Sequence, residues 1–387
     1  MTRLATRLDG IASFHVMDVL ARARALEAQG RSIIHLEIGE PDFPTDARIV
    51  QAGIDALGAG ATHYLPALGL PTLRQAIADR YPAAHRPDPG RVVVTPGGSG
   101  ALLLACAALI NPGDRVLMTD PGYPCNRHFV RLFGGEAVPI AVDATTNYQL
   151  TPEHIRAHWD ARTVAVLIGS PANPTGTMLA PDALAELVRA VELRGGIAIV
   201  DEIYHGLTYD IDAVSALAYS ERVVVINSFS KYFGMTGWRV GWMVAPPDVV
   251  PALDRLAQNV FLSTNTPAQY AALRALDADV RVELERRRAE FKRRRDYLVP
   301  ALGTLGFDVP LTPQGAFYVY ANCRALGLES ERFARELLEQ SGVALTPGLD
   351  FGAQQAAEHV RVSYANTIER LQDAVQRIDA FLARGNL

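Results

Sequence analysis

The chain has 387 residues, of which 49% are hydrophobic and 20% charged, and a formal net charge of -5. That length suits roughly two or three domains with ample core material, and that charge excludes any global attraction to nucleic acid or an anionic membrane. Three cysteines, Cys106, Cys125 and Cys323, lie far apart, with neither metal-ligand spacing nor the density of a disulfide framework, so a reducing cytoplasm and no metal are expected.

From the start to about Gly30 the pattern is that of an amphipathic helix, with Arg22, Arg24 and Glu27 interrupting any signal-peptide stretch. The longest wholly apolar run, residues 101–110, is too short to span a bilayer. Five short β-branched runs then alternate with helical stretches. The expected strands are 92–94, 116–119, 164–168, 197–200 and 223–226. They are apolar on both sides, as strands buried in a mostly parallel sheet must be. Helices are expected over 101–109, 126–133 and 182–194, which together argue for an α/β domain with helices on both faces.

Each strand is followed by residues that carry chemistry. The first leads into Thr95-Pro96-Gly97-Gly98-Ser99-Gly100, where glycines allow close approach and a helix start presents free N–H groups to an anion; a plain helix start explains it about as well. The motif matches neither a dinucleotide fingerprint nor a P-loop, and Ala101 spoils a nucleophile elbow. The second leads to Tyr123 in Pro121-Gly122-Tyr123-Pro124, able to stack on a flat ring, although a lone tyrosine there is more often packing. The third leads to Asn173-Pro174-Thr175-Gly176, whose asparagine can donate to a ring oxygen or simply serve a turn. The fourth ends at Asp201, followed three residues later by Tyr204. A carboxylate ending an apolar strand needs a partner, such as a protonated pyridine nitrogen; a helix cap or an arginine would equally satisfy it.

The fifth leads into Ser228-Phe229-Ser230-Lys231, with Arg239 eight positions on. A lysine among hydroxyls, beside a glycine-punctuated loop and an arginine, suits a cofactor with an aldehyde at one end and a phosphate at the other, pyridoxal 5'-phosphate. In isolation such a lysine is more often part of a solvated basic loop. In open α/β sheets, however, ligands bind at the carboxyl ends of the strands, where all five sets of residues belong.

Beyond about Val280 the pattern changes. Residues 281–295 hold eight basic and three acidic residues, and Val280, Leu284, Phe291 and Leu298 recur at spacings of four, seven and seven. A long amphipathic helix with a charged outer face is expected, linking two domains, rather than a nucleic-acid patch. Strands at 316–320 and 360–364 and a last helix over 368–383 complete a smaller α+β domain built from both termini. The expected division is residues 1–40 (N-terminal arm and part of the small domain), 41–280 (large domain) and 281–387 (C-terminal small domain).

Asn173-Pro174-Thr175-Gly176, Asp201-x-x-Tyr204, and Ser228-x-Ser230-Lys231 with Arg239 resemble the class I/II pyridoxal-phosphate-dependent aminotransferases, of fold type I and the aspartate aminotransferase superfamily. The resemblance runs through essentially the whole chain. It implies a large domain with a mostly parallel seven-stranded sheet sandwiched by helices, and a homodimer with active sites at the subunit interface. It also implies ping-pong transfer of an amino group from an α-amino acid to a 2-oxo acid. Carried over, Lys231 resembles the Schiff-base lysine and proton carrier, Asp201 the partner of the pyridine nitrogen, and Tyr204 and Asn173 the partners of the ring oxygen. Tyr123 resembles the ring stacker, and Gly98, Ser99, Ser228 and Arg239 the phosphate cup. Tyr64 resembles the tyrosine that reaches the neighbouring subunit's cofactor phosphate. Arg361 resembles the clamp on the substrate carboxylate, a role that favours a planar fork, and Gly39 the glycine whose backbone meets the same carboxylate. Phe14, Val16 and residues 261–266 are expected near the substrate. Some bacterial aspartate aminotransferases carry Gly-Gly-Lys where this chain has Gly97-Gly98-Ser99, which puts dicarboxylate specificity by that route in doubt. The alternatives are a β-eliminating C–S lyase of the same fold and a ligand-sensing regulator domain. Fewer than forty residues precede Gly39, so no DNA-binding domain is expected.

Overall fold

Consecutive residues of the central strands go to opposite cores. Val92, Val94, Leu117, Val166, Ile168, Val200 and Val225 join one buried cluster, while Val93, Val116, Met118, Leu167, Ile199, Val224 and Ile226 join another. A sheet apolar on both faces must be covered on both, and in the computed structural model it is. Helices Gly97–Leu109 and Val250–Val260 cover the second core through Leu102 and Leu253, and helix Pro181–Glu192 covers the first through Leu187 and Val188. The structure describes residues 2–11 and 13–384; Met1, Ala12 and residues 385–387, parts of the expected terminal domain, lie outside the described residues.

The sheet has seven strands in the order Val92–Thr95, Gly241–Val244, Val224–Ser228, Ile197–Asp201, Thr163–Gly169, Arg115–Asp120, Glu136–Ala141. Only Gly241–Val244 runs antiparallel to its neighbours, so the other six deliver their carboxyl ends to one edge. All five strands expected from the sequence are present within one or two residues. The two outside that reading are Glu136–Ala141, an edge strand that tolerates Pro139, and Gly241–Val244, a four-residue run close behind the lysine loop.

A second, antiparallel sheet joins Thr346–Pro347, His359–Ser363 and Tyr318–Asn322. Its last strand starts two residues later than expected, because Ala316 has φ +59° and cannot extend. Ile34–His35 pairs in parallel with Val343–Ala344, which brings the two ends of the chain together.

Helix Ala278–Thr304 corrects the expectation of a simple charged outer face. Val280, Leu284, Phe291 and Leu298 are buried as read, but so are Arg287, Arg294 and Arg295. Arg287 donates to the Pro44 carbonyl at 2.7 Å, Arg294 to Asp42 at 2.7 Å, and Arg295 to the Pro313 carbonyl at 2.9 Å. A long helix laid across other segments buries part of its polar side, and guanidinium forks satisfy backbone carbonyls there. The outward Arg286, Lys292 and Arg293 pair within the helix with Glu283, Asp296 and Glu290.

Candidate active site

Ten of the twelve predicted site residues line one cavity of about 320 Å³ at the carboxyl edge of the sheet: Gly39, Gly98, Ser99, Tyr123, Asn173, Asp201, Tyr204, Lys231, Arg239 and Arg361. Phe14 and Val16 line it too, whereas residues 261–266 of the same chain do not.

Lys231 follows strand Val224–Ser228, and its Nζ donates to the Gly39 carbonyl at 2.5 Å. Burial pushes its pKa down to about 8 against the opposing pull of Glu40, so a neutral amine is within reach near neutral pH. Asp201 ends strand Ile197–Asp201; its Oδ1 accepts the Ile203 N–H at 3.0 Å. Burial raises it to about 6, with that N–H and Lys231 working the other way. One buried carboxyl in an apolar setting is thus held short of a full partner.

The candidate phosphate end joins a glycine turn to an arginine side chain. Gly97 has φ +75°, and a Cβ there would come within 2.6 Å of Arg239 Nη2. Arg239, itself at φ +56°, donates to the Thr236 carbonyl at 3.0 Å and lies against the start of helix Gly97–Leu109. Ser228 is buried but does not line the cavity. Its Oγ donates to the Val240 carbonyl at 3.1 Å and lies 2.8 Å from Ser230 Oγ, and it is Ser230 that faces the cavity.

Arg361 sits on strand His359–Ser363, 2% exposed. Nη1 donates to Asn173 Oδ1 at 3.0 Å and Nη2 to the Glu37 carbonyl at 2.5 Å, while Nε is buried without a hydrogen-bond partner among the described residues. The guanidinium lies 4.3 Å from the Tyr318 ring centroid. Tyr318 was outside the sequence reading, yet its hydroxyl lies 2.9 Å from that of Tyr204 and occupies the space a Cβ at Gly39 would need, 2.6 Å away. The signal for it was slight: a tyrosine inside an expected strand. Tyr64 is 79% exposed and stands outside the cavity.

A family model described as aminotransferase class I and II matches residues 31–378. The (5-formylfuran-3-yl)methyl phosphate transaminase of Methanocaldococcus jannaschii is 38% identical over 384 residues, which are 98% of this chain and 99% of that one. The valine–pyruvate aminotransferase of Mycobacterium tuberculosis is 36% identical over 384 residues, 98% of each. Among solved structures, aspartate aminotransferase from Thermus thermophilus with maleate is similar at a TM-score of 0.93 and 34% identity, covering 98% of this chain and 100% of that one. The chain belongs to the class I and II aminotransferases. It is an aminotransferase, and the eliminating lyase considered from the sequence is the less favoured reading.

Proposed function

We propose that the cavity holds pyridoxal 5'-phosphate and that the enzyme moves an amino group from an α-amino acid to a 2-oxo acid by a ping-pong route. The residues fit the group: a cation, Arg239, packed so close to Gly97 that a Cβ would collide with it, a buried carboxyl at Asp201 short of a partner, and a buried amine at Lys231. When bound, it supplies an aldehyde carbon for the substrate amine and a ring able to accept the electrons of the Cα–H bond. Gly98, Ser99 and Arg239 would hold its phosphate, with Ser228 bracing Ser230 from behind. Asp201 would pair with its ring nitrogen, Tyr204 and Asn173 with its ring oxygen, and Tyr123 would stack on its face.

Arg361, with the backbone of Gly39, would take the substrate carboxylate and so orient the bonds at Cα. Lys231 Nζ would take up and return the proton at Cα; its lowered pKa lets it act as a base near neutral pH. The observation that carries this reading is the meeting of a pKa-lowered amine, a pKa-raised carboxyl, and the Arg239 guanidinium beside the Gly98-Ser99 helix start in one cavity.

Tyr64, exposed in one protomer, would complete the phosphate site of a second, making the enzyme a homodimer. We also read residues 41–280 as the large domain and 281–387 with 1–40 as the small one, supported by the pairing of Ile34–His35 with Val343–Ala344. Among the described residues no helix is long and apolar enough to cross a membrane; the cytoplasmic location rests on the cysteine usage.

The test is Lys231→Ala. It should abolish the visible absorbance of the lysine-bound cofactor and lower turnover by roughly 10²- to 10⁴-fold, the range for removing a general base. Turnover near the wild-type rate would overturn the assignment.

A further inference from the structure

The N-terminal helix His15–Glu27 begins without a side-chain cap of its own; Phe14, at the capping position, has no oxygen to offer. The helix start is instead held from more than three hundred residues away. The Asp350 carboxylate accepts the N–H of His15 at 3.0 Å and that of Val16 at 3.3 Å. Asp350 is 1% exposed, so the contact is made out of water, where a carboxylate on a helix start is most effective. Its backbone carbonyl accepts from Arg127 at 3.2 Å, and the next ring along, Phe351, lies 4.9 Å from the Arg361 guanidinium. Further along, Ala23 and Leu26 pack on Ile33, Leu338 and Ala344. The far half of the helix is therefore held by packing, and its first turn by Asp350.

That first turn is part of the cavity wall. Phe14, Val16, Met17 and Leu20 line it together with Ile38. Among the described residues the cationic side chains lining it are Lys231, Arg239 and Arg361, each already committed to the cofactor or the substrate carboxylate; the acids are Asp201, assigned to the cofactor ring, and Glu40. Ser99 offers no charge either. A second substrate carboxylate finds no cation among these lining residues, and an apolar side chain finds an apolar wall.

We infer that Asp350 is a positioning residue that holds the first turn of the N-terminal helix as the apolar wall of the side-chain pocket, and that the enzyme thereby prefers amino acids with apolar side chains over dicarboxylic ones. This rests on the transaminase reading given above. A substrate side chain long enough to reach the helix depends on Asp350; alanine, whose methyl group stops short, does not.

The experiment uses the holoenzyme and follows single half-reactions with alanine, leucine, methionine, phenylalanine, aspartate and glutamate. In the wild type, leucine, methionine and phenylalanine should exceed both acids by at least about tenfold in specificity, the scale of one well-placed methylene in an apolar pocket. Asp350→Ala should lower the three long apolar substrates by about tenfold and alanine by less than about twofold. Asp350→Asn, which keeps an acceptor oxygen, should recover most of that loss. Met17→Ala, at a position 55% exposed and safe for folding, should likewise weaken only the long substrates. Calorimetric titration of the holoenzyme with 4-methylpentanoate, propanoate and succinate reads the same preference without turnover. 4-Methylpentanoate should bind more tightly than succinate, and only 4-methylpentanoate should lose affinity in Asp350→Ala. Aspartate or glutamate reacting as fast as leucine would overturn the preference, and equal losses for alanine and leucine in Asp350→Ala would overturn the positioning role. Failure of every amino acid to react in a wild type that retains its cofactor would sink the transaminase reading instead, while the calorimetric ranking would still judge the pocket.

Discussion

At the scale of single residues, the site stores an electrostatic imbalance in the cofactor-free chain. Asp201 has its pKa raised by burial to about 6. Because the folded value lies above the unfolded one, the folded state binds more protons between about pH 4 and 6, and stability falls as pH rises through that window. Above it the unrelieved carboxylate costs about 3 kcal/mol, from a shift of roughly two units at 1.36 kcal/mol each. Asp201→Asn keeps an acceptor for the Ile203 N–H and removes the charge. The cofactor-free variant should therefore be more stable than the wild type at pH 7 by up to about 3 kcal/mol, with the advantage vanishing near pH 4, while its affinity for the cofactor drops. Urea denaturation of both cofactor-free proteins at the two pH values checks this; parallel stabilities across the range would refute it. Residues of this kind were legible in the sequence because the chemistry demands them by type: an amine, a carboxylate at a strand end, a fork for a carboxylate. Tyr318 and Asp350 were not singled out, and Ser230 was named in its motif without a role of its own, because their roles come from contacts that sequence spacing does not encode. Tyr318 is defined by the hydroxyl of Tyr204 and Asp350 by a helix start 335 residues away.

At the scale of elements, the alternation of strand and helix was readable at five strands buried on both faces, since such strands are continuous apolar runs. It failed at the rim, where Glu136–Ala141 carries a proline and exposed positions, and at Gly241–Val244, which is buried but opens on a glycine close behind the lysine loop with no α-helix between them. The long basic helix shows the opposite failure: its apolar spacing was right and its polar side misjudged. Arg294 is 3% exposed, bridges Asp42 and Glu290, and lies 4.9 Å from the ring centroid of Phe43. Arg294→Ala leaves both carboxylates without this partner, and should destabilise by about 2 to 3 kcal/mol, somewhat below the range for wholly buried pairs because both carboxylates keep some solvent access. Arg293, one position away and paired with the same Glu290 but exposed, serves as the control: Arg293→Ala should change stability by less than about 1 kcal/mol. Equal losses from the two substitutions, measured by urea denaturation, would show that burial of Arg294 contributes nothing.

At the scale of the whole molecule, the exposed features left over bear on the proposed homodimer. Tyr64 at 79% exposure, with Ile54 and Leu57 more than half exposed, would be poorly placed on a free surface. A groove lined by Phe43, Val50, Ile54, Leu57 and Trp238 also includes Glu40 and Thr236, which line the active cavity as well. Surface and site are thus continuous, and a second copy seated there would lie beside the cofactor phosphate. If Tyr64 serves the neighbour's site, a chain carrying Lys231→Ala and a chain carrying Tyr64→Ala are defective in different ways. The first has no amine but lends an intact tyrosine; the second has the amine but lends none. When the two are mixed and allowed to exchange subunits, each mixed dimer contains one site with both residues intact and one with neither. Turnover of the mixture should then exceed the sum of the two variants measured separately, and cofactor affinity at the restored site should return to that of the wild type. A tyrosine acting within its own protomer predicts no gain on mixing, because every site would then keep the single defect of its own chain. The comparison therefore decides between the two arrangements by rate alone, with subunit exchange verified by a mass tag on one chain.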